Sequence, residues 1–272
     1  MSRMKIVEAM LKYSPPTYND IQSKSPNFDS WKGVNPECRE LLAKNPNAFL
    51  IGALFDFLIQ SDDAWEVPYN LKKRLGHLDV DKISKMDVKQ LSVYIKRNKN
   101  GKALHRFPNV MADRLISVCN LLLKKYQGNA ENIWNSSQNI KVVIGNLIEF
   151  KGIDQKIANM FVNLLNVNYG LIFEGWSELD VAVDRHVARV FLRTSLIDSD
   201  QEQKIYDVAK VKRAIILSAR GLHPKFPGAL DNPAFQIGKF WCTAQEAKCN
   251  NGGNPCPLNK VCAKDKIDFT IS

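Results

Sequence analysis

Four cysteines near the C-terminal end are the residues whose type and spacing most directly indicate chemistry. Cys242, Cys249, Cys256 and Cys262 follow the pattern C-x6-C-x6-C-x5-C. The N-terminal segment lacks the apolar run and small-residue cleavage site of a signal peptide, so we expect an intracellular protein. In such a compartment a compact cysteine quartet usually binds a metal or a cluster instead of forming disulfides. Spacing alone leaves zinc and iron–sulfur both open.

A second candidate site lies in the segment 142–165, which reads VVIGNLIEFKGIDQKIANMFVNLL. Two apolar helical stretches flank the short link Lys151-Gly152-Ile153-Asp154. Backbone N–H groups at the start of the second helix can bind a phosphate. We expect Ile153 to point inward and fix the hairpin. The alternative is a plain helical hairpin within a bundle, which binds no ligand.

The segment 179–194, LDVAVDRHVARVFLRT, brings Asp184 from an extended apolar stretch to the start of an amphipathic helix. Aspartate is a favoured N-cap residue, so helix capping alone would explain its position. Capping leaves the carboxylate available for chemistry, and both interpretations of Asp184 stay open.

The elements that position these residues are predicted to be helical. Apolar residues recur at helical spacing in the stretches 48–60, 85–96, 111–126, 141–150, 155–167, 184–194 and 204–219. Strand-like alternation is scarce. The apolar stretch 48–59 is interrupted by Asp56 and is too short to span a bilayer, which takes about 20 residues. The sequence therefore predicts an all-α fold, with two helical lobes and no membrane segment.

The charge balance favours a polyanionic partner. Lysine and arginine total 38 against 28 aspartate and glutamate residues, a formal net charge of +10. Such a surplus indicates nucleic acid before membrane, because no basic amphipathic lipid-binding helix stands out.

Two motifs together resemble the helix-hairpin-helix DNA glycosylases of the endonuclease III superfamily. That family carries L-P-G-V-G-x-K-T-A-N followed by V-D-x-H-V-x-R-V. Here residues 150–159 read FKGIDQKIAN and residues 183–190 read VDRHVARV. The cysteine spacing supports the same resemblance, since endonuclease III and the adenine glycosylases carry C-x6-C-x2-C-x5-C, with the same first and last gaps. The middle gap here is longer, and it is filled by residues 250–255.

The resemblance implies a fold and a cofactor. The implied domains are a six-helix barrel with the helix-hairpin-helix motif at 46–176, and a helical domain formed by 1–45 and 177–272 together. The second domain would carry a [4Fe-4S] cluster on the four cysteines. Zinc is the less favoured occupant.

The resemblance also implies DNA contacts. Gln60 lies in a stretch similar to the family's L-L-S-A-Q-A-T-D, and Phe107 aligns with an apolar wedge beside the flipped nucleotide. Each has a structural alternative: Gln60 as the polar end of an apolar helix, Phe107 as a core anchor. The hairpin residues implied to contact DNA are Lys151, Gly152, Ile153 and Asp154.

Two hairpin positions depart from the family pattern. Asp154 replaces the family's second glycine, and Lys151 replaces its proline. Aspartate tolerates a left-handed backbone better than most residues. Its charge is nevertheless expected to weaken the grip on a phosphate.

By the same resemblance, Lys156 is the nucleophile that forms a Schiff base at C1′, and Asp184 is its activator. This implies a bifunctional glycosylase and AP lyase in base-excision repair that acts on double-stranded DNA, with an oxidised pyrimidine as the expected substrate and the protein a monomer. An adenine-specific enzyme is less expected, because only ten residues follow Cys262. The alternative function is a non-catalytic DNA-binding protein with a structural or redox-sensing cluster.

Residues 168–179 form an insertion relative to endonuclease III, with aromatic residues in the stretch 169–176. We expect these rings either to stack on an extruded base or to anchor the insertion in the core.

Overall fold

The computed structural model describes residues 2–14, 26–96, 101–198, 205–250, 253–262 and 270–271. The predicted all-α class is confirmed. The helices are α1 Arg3–Tyr13, α2 Pro36–Lys44, α3 Pro46–Phe55, α4 Ser61–Leu75, α5 Val80–Ser84, α6 Val88–Ile95, α7 Pro108–Tyr126, α8 Glu131–Asn135, α9 Ile140–Ile148, α10 Gln155–Tyr169, α11 Arg185–Arg193, α12 Val208–Leu222 and α13 Asp231–Phe240.

Short elements complete the description. Single 3-10 turns lie at Trp176–Glu178 and Pro227–Leu230. The strands Ile205–Tyr206 and Thr270–Ile271 form one parallel pair. Within the described ranges, every helix is too short or too polar to traverse a bilayer.

The chain divides into two units. The middle unit is Asp20–Phe173, and the discontinuous unit combines Met1–Asn19 with Glu174–Ser272. The expected boundaries at residues 45 and 176 differ from this division. The described residues 26–45 belong to the middle unit, where α2 packs on α3 and α4. The ring of Phe28 also contacts Phe49 in that unit's core.

In the middle unit α3 forms the centre of the core, since all its residues from Ala48 to Phe55 are buried. The Asn45 side chain caps its first turn by accepting the Ala48 N–H. The helix ends at Phe55, although the sequence predicts it to run to residue 60. The backbone leaves the helical conformation at Asp56, and Leu58 adopts a left-handed φ of 57°.

In the discontinuous unit α1, α11, α12 and α13 share one hydrophobic core. Helices α11 and α13 approach closely at Gly238, where a Cβ atom would lie 2.5 Å from the His186 carbonyl oxygen. Only glycine fits such a contact. The buried Arg189 of α11 donates to the carbonyl oxygens of Gly238 and Cys242, each at 3.0 Å. Arg189 therefore links α11 to the start of the cysteine-containing loop.

Candidate active site

The predicted hairpin is formed by α9, the turn 149–154 and α10. Gly152 has a φ of +97°, and a Cβ atom there would lie 2.7 Å from Cδ of Arg114. Glycine is therefore required both for conformation and for space. Ile153 is 3% exposed, so it points inward as expected.

Asp154 does not need the left-handed conformation that the family's glycine suggested. Its φ is −93° and its ψ is 179°, which is extended backbone. Its carboxylate accepts the Ile157 N–H at 2.9 Å and so caps α10. Lys151 is exposed at the tip of the hairpin, and its ammonium group pairs with Asp113 at 2.6 Å.

Lys156 lies in the first turn of α10, directly after the hairpin. Its Nζ donates to Oδ2 of Asp56 at 3.0 Å. The exposed fractions of the two side chains are 21% for Lys156 and 12% for Asp56. The amine is thus sheltered and held next to a carboxylate. Asp56 was not predicted as a site residue, although its position as the one acidic residue in an apolar stretch was a visible signal.

Asp184 belongs to the discontinuous unit and is the N-cap of α11. Its Oδ1 accepts the backbone N–H groups of His186 and Val187, both at 2.8 Å. Burial lowers the pKa of His186 and outweighs the opposing effect of the Asp184 charge. The capping interpretation of Asp184 is thereby confirmed, and its catalytic role stays a prediction.

Gln60 and Phe107 are both exposed in the middle unit. Gln60 is the N-cap residue of α4, outside the apolar helix α3. Phe107 is 41% exposed at the start of α7, so it is not the buried core anchor that was the structural alternative. Their contact with DNA stays a prediction.

A buried histidine fixes the backbone next to Phe107. Nδ1 of His105 accepts the Phe107 N–H at 3.0 Å, so its Nε2 carries the proton and donates to the Phe57 carbonyl oxygen at 2.6 Å. Burial lowers the pKa of His105, which favours this neutral form. The turn after α3 and the start of α7 are therefore joined through one side chain.

The four cysteines lie in a loop that packs against α11. Arg193 donates to the carbonyl oxygen of Thr243 at 2.8 Å and to Sγ of Cys242 at 3.5 Å. The Cys256 N–H donates to the Cys249 carbonyl oxygen at 3.0 Å. The loop is thus organised by main-chain contacts and by an arginine of the same helix that Asp184 caps.

The loop supplies four free thiols. The pKa of Cys256 is raised to about 11, mainly by burial, and the charges of Cys249, Cys242 and Cys262 act in the same direction. The donor set therefore fits a thiolate-ligated metal or cluster. In the described part of the chain, however, no three His, Cys, Asp or Glu side chains are arranged as a preassembled metal site.

In the stretch 169–176, Tyr169 and Trp176 each contact a residue of their own unit. The Tyr169 hydroxyl donates to the Leu42 carbonyl oxygen at 2.5 Å, and burial raises its pKa. Phe173 is 5% exposed. The ring centroids of Trp176 and Phe226 are 4.6 Å apart. These contacts favour the anchoring role over stacking on a base.

Several solved structures have a fold similar to that of this chain. A non-covalent endonuclease III–DNA complex matches with a TM-score of 0.60 and 17% identity, covering 97% of both chains. A trapped endonuclease III–DNA covalent intermediate gives 0.59 and 17% over the same shares. A thermostable thymine-DNA glycosylase gives 0.56 and 14%, covering 96% of this chain and 95% of that one.

No family model and no curated protein sequence matches this chain. At these identities the structural matches establish the architecture, over nearly the whole length of the chain. These matches confirm, for the fold, the resemblance seen in the sequence motifs. The chain has the fold of the helix-hairpin-helix DNA glycosylases.

Proposed function

We propose that this protein is a base-excision repair DNA glycosylase with AP lyase activity, and that Lys156 forms a Schiff base with the sugar. The observation that carries the proposal is the position of Lys156 in the first turn of α10. Its amine is largely sheltered from solvent and lies 3.0 Å from a carboxylate. The fold supports the proposal, because one of the similar structures is a covalent endonuclease III–DNA intermediate.

The proposed reaction begins with extrusion of the damaged base, which costs a few kcal/mol of stacking and pairing. The Lys156 amine then attacks C1′, and the Schiff base permits β-elimination of the 3′ phosphate. The N-terminal end of α10 disfavours the ammonium form next to it, which favours the nucleophilic amine. Asp184 would stabilise the positive charge that develops on the sugar as the base departs.

The proposed partner is duplex DNA with a damaged base or an abasic site, and an oxidised pyrimidine is the proposed base. The net charge of +10 supports a polyanionic partner. Gln60 and Phe107 are exposed side chains suited to contact the duplex. The hairpin tip, with Lys151 and Gly152, would bind the phosphate backbone. We propose that the protein acts as a monomer.

Cys242, Cys249, Cys256 and Cys262 would hold a [4Fe-4S] cluster, which would cross-link the loop that packs on α11. Iron analysis and colour test this independently of activity: anaerobically purified protein should be brown and contain about four irons per chain. Cys256→Ser should lose the iron, whereas Cys119→Ala, which removes a buried thiol of α7, should retain it. Colourless protein with bound zinc would contradict the cluster and support the alternative metal.

The rival function is a non-catalytic DNA-binding protein that keeps the cluster as a structural element or redox sensor. It accounts for the positive charge and the hairpin, but it has no use for a sheltered lysine amine beside a carboxylate. Purified protein should be incubated with duplexes that carry a panel of oxidised and other damaged bases or an abasic site. We expect release of a damaged base and strand cleavage at the abasic site. DNA binding without reaction on any duplex would favour the rival.

A further inference from the structure

The carboxylate of Asp56 is placed to act on the Lys156 amine. Asp56 directly follows α3, and its N–H donates to the Ala53 carbonyl oxygen at 3.2 Å. Its Oδ2 accepts from Nζ of Lys156 at 3.0 Å, although the two residues are 100 positions apart in sequence. Both side chains are mostly shielded from water, unlike the exposed pair Lys85–Asp81 of the same unit. Such shielding strengthens the interaction between charges.

The backbone around Asp56 is fixed by contacts on its C-terminal side. The Phe57 carbonyl oxygen accepts from His105, and the guanidinium of Arg114 lies 4.3 Å from the centre of the Phe57 ring. Leu58 holds a left-handed φ of 57°, which is costly for a residue other than glycine. Strain of this kind persists only where the surroundings impose it, and it is concentrated at functional sites. The turn is therefore built to keep Asp56 at one position.

We infer that Asp56 is the proton acceptor for Lys156 and that its carboxylic acid later returns this proton. The inference rests on the proposed function and assigns the acid–base step of that site. It also separates two roles that the sequence motifs assigned jointly to Asp184. Asp184 would act on the sugar cation, whereas Asp56 would control the protonation of the amine.

The proton transfers between Lys156, Asp56 and the sugar balance when the substrate is the open-chain aldehyde of an abasic site. The Lys156 ammonium gives one proton to Asp56, and the neutral amine forms an N–C1′ bond as the carbonyl π pair moves to oxygen. A second ammonium proton transfers to that oxygen, giving a carbinolamine. The Asp56 carboxylic acid then protonates the hydroxyl group, which leaves as water as the nitrogen lone pair forms the iminium. Asp56 returns to a carboxylate beside the cationic nitrogen.

The direction in which Asp56→Asn changes the reaction rate distinguishes a proton acceptor from a residue that only pairs with the ammonium group. If Asp56 only held the ammonium, Asp56→Asn would remove an acceptor that favours the charged form, and the amine would react at the same rate or faster. If Asp56 takes the proton, the same variant must react more slowly, by about 10²-fold, a usual size for general base catalysis. Asparagine keeps the shape of the side chain, so the packing of the turn is preserved.

The test is single-turnover borohydride trapping on abasic duplex DNA with wild type, Asp56→Asn and Asp56→Glu. Asp81→Asn serves as the control, because it makes the same change in a lysine-paired aspartate of α5. We expect Asp56→Asn to trap slowly with unchanged DNA affinity and melting temperature, and Asp56→Glu to recover much of the rate. The control should trap like wild type.

Trapping by Asp56→Asn at or above the wild-type rate would overturn the inference while leaving the Schiff base intact. Equal losses in the Asn and Glu variants would also overturn it, because they would show that shape matters and the carboxylate does not. Absence of trapping by wild type would instead contradict the proposed Schiff base, and with it the role of Asp56.

Discussion

The two residues expected to act at the sugar are held in different ways. Lys156 is paired with a carboxylate, and Asp184 caps its own helix. Lys156 and Asp184 could be proposed from the sequence because each lies within a short local motif, and their catalytic roles stay predictions. Asp56 could not be identified as the partner of Lys156, since their contact depends on where α3 ends. The apolar pattern predicted helix through that position, and local sequence does not reveal a contact between segments so distant along the chain.

At Asp184 the charge and the capping role can be separated. Asp184→Asn should slow base release by about 10²–10⁴-fold in a single-turnover excision assay, because the variant lacks the charge that stabilises the sugar cation. Asparagine caps helices about as well as aspartate, so the melting temperature should stay unchanged.

Asp207→Asn is the matched control for Asp184→Asn. Asp207 caps α12 in the same unit by accepting the Ala209 N–H at 2.8 Å. This control should excise at the wild-type rate. Wild-type excision by Asp184→Asn would show that the residue is only a cap.

Among the elements, both helices of the hairpin were predicted to within two residues at each end. Its helices were expected at 141–150 and 155–167, and they are found at Ile140–Ile148 and Gln155–Tyr169. A short link between two amphipathic stretches leaves few other arrangements. The anchoring of the cysteine loop by Arg189 and Arg193 was not predictable in the same way. It depends on the packing of α11 against α13 and not on local spacing.

The hairpin turn should be sensitive to a single methyl group. Gly152→Ala places a Cβ against the Arg114 side chain in a left-handed backbone, at a conformational cost of about 1–2 kcal/mol. We expect a lower melting temperature and weaker binding to duplex DNA, measured by thermal denaturation and fluorescence anisotropy.

Gly145→Ala in α9 is the opposite case, since a Cβ there meets open space and the backbone is helical. It should raise the free energy of unfolding by about 0.5–1 kcal/mol. Equal melting temperatures for the two alanine variants would show that the turn geometry around Gly152 is wrong.

For the whole molecule, helical periodicity was sufficient to predict the all-α class and a division into two parts. It did not locate the boundary, because residues 26–45 join the middle unit through contacts such as that of Phe28 with Phe49. Such contacts involve residues from distant segments, and hydrophobic spacing within one helix carries no information about them.

The excess positive charge predicts salt-sensitive DNA binding. The affinity for undamaged duplex should fall linearly on a plot of log K against log salt concentration, because phosphate contacts release counterions. Lys151→Gln at the hairpin tip should make the slope less steep by about one. Lys85→Gln in α5 should leave it unchanged. Identical slopes for the two variants would exclude Lys151 from the phosphate contacts.

The most direct test of the central claim is the covalent trapping of wild-type protein on abasic or damaged duplex DNA with borohydride, followed by peptide mass mapping. We predict a covalent protein–DNA complex with the cross-link at Lys156. Lys156→Gln should lose both trapping and strand cleavage but still bind DNA, because much of the phosphate grip comes from backbone N–H groups. A wild-type protein that forms no covalent complex, or a Lys156→Gln variant that traps at the wild-type rate, would contradict the assignment of Lys156 as the nucleophile.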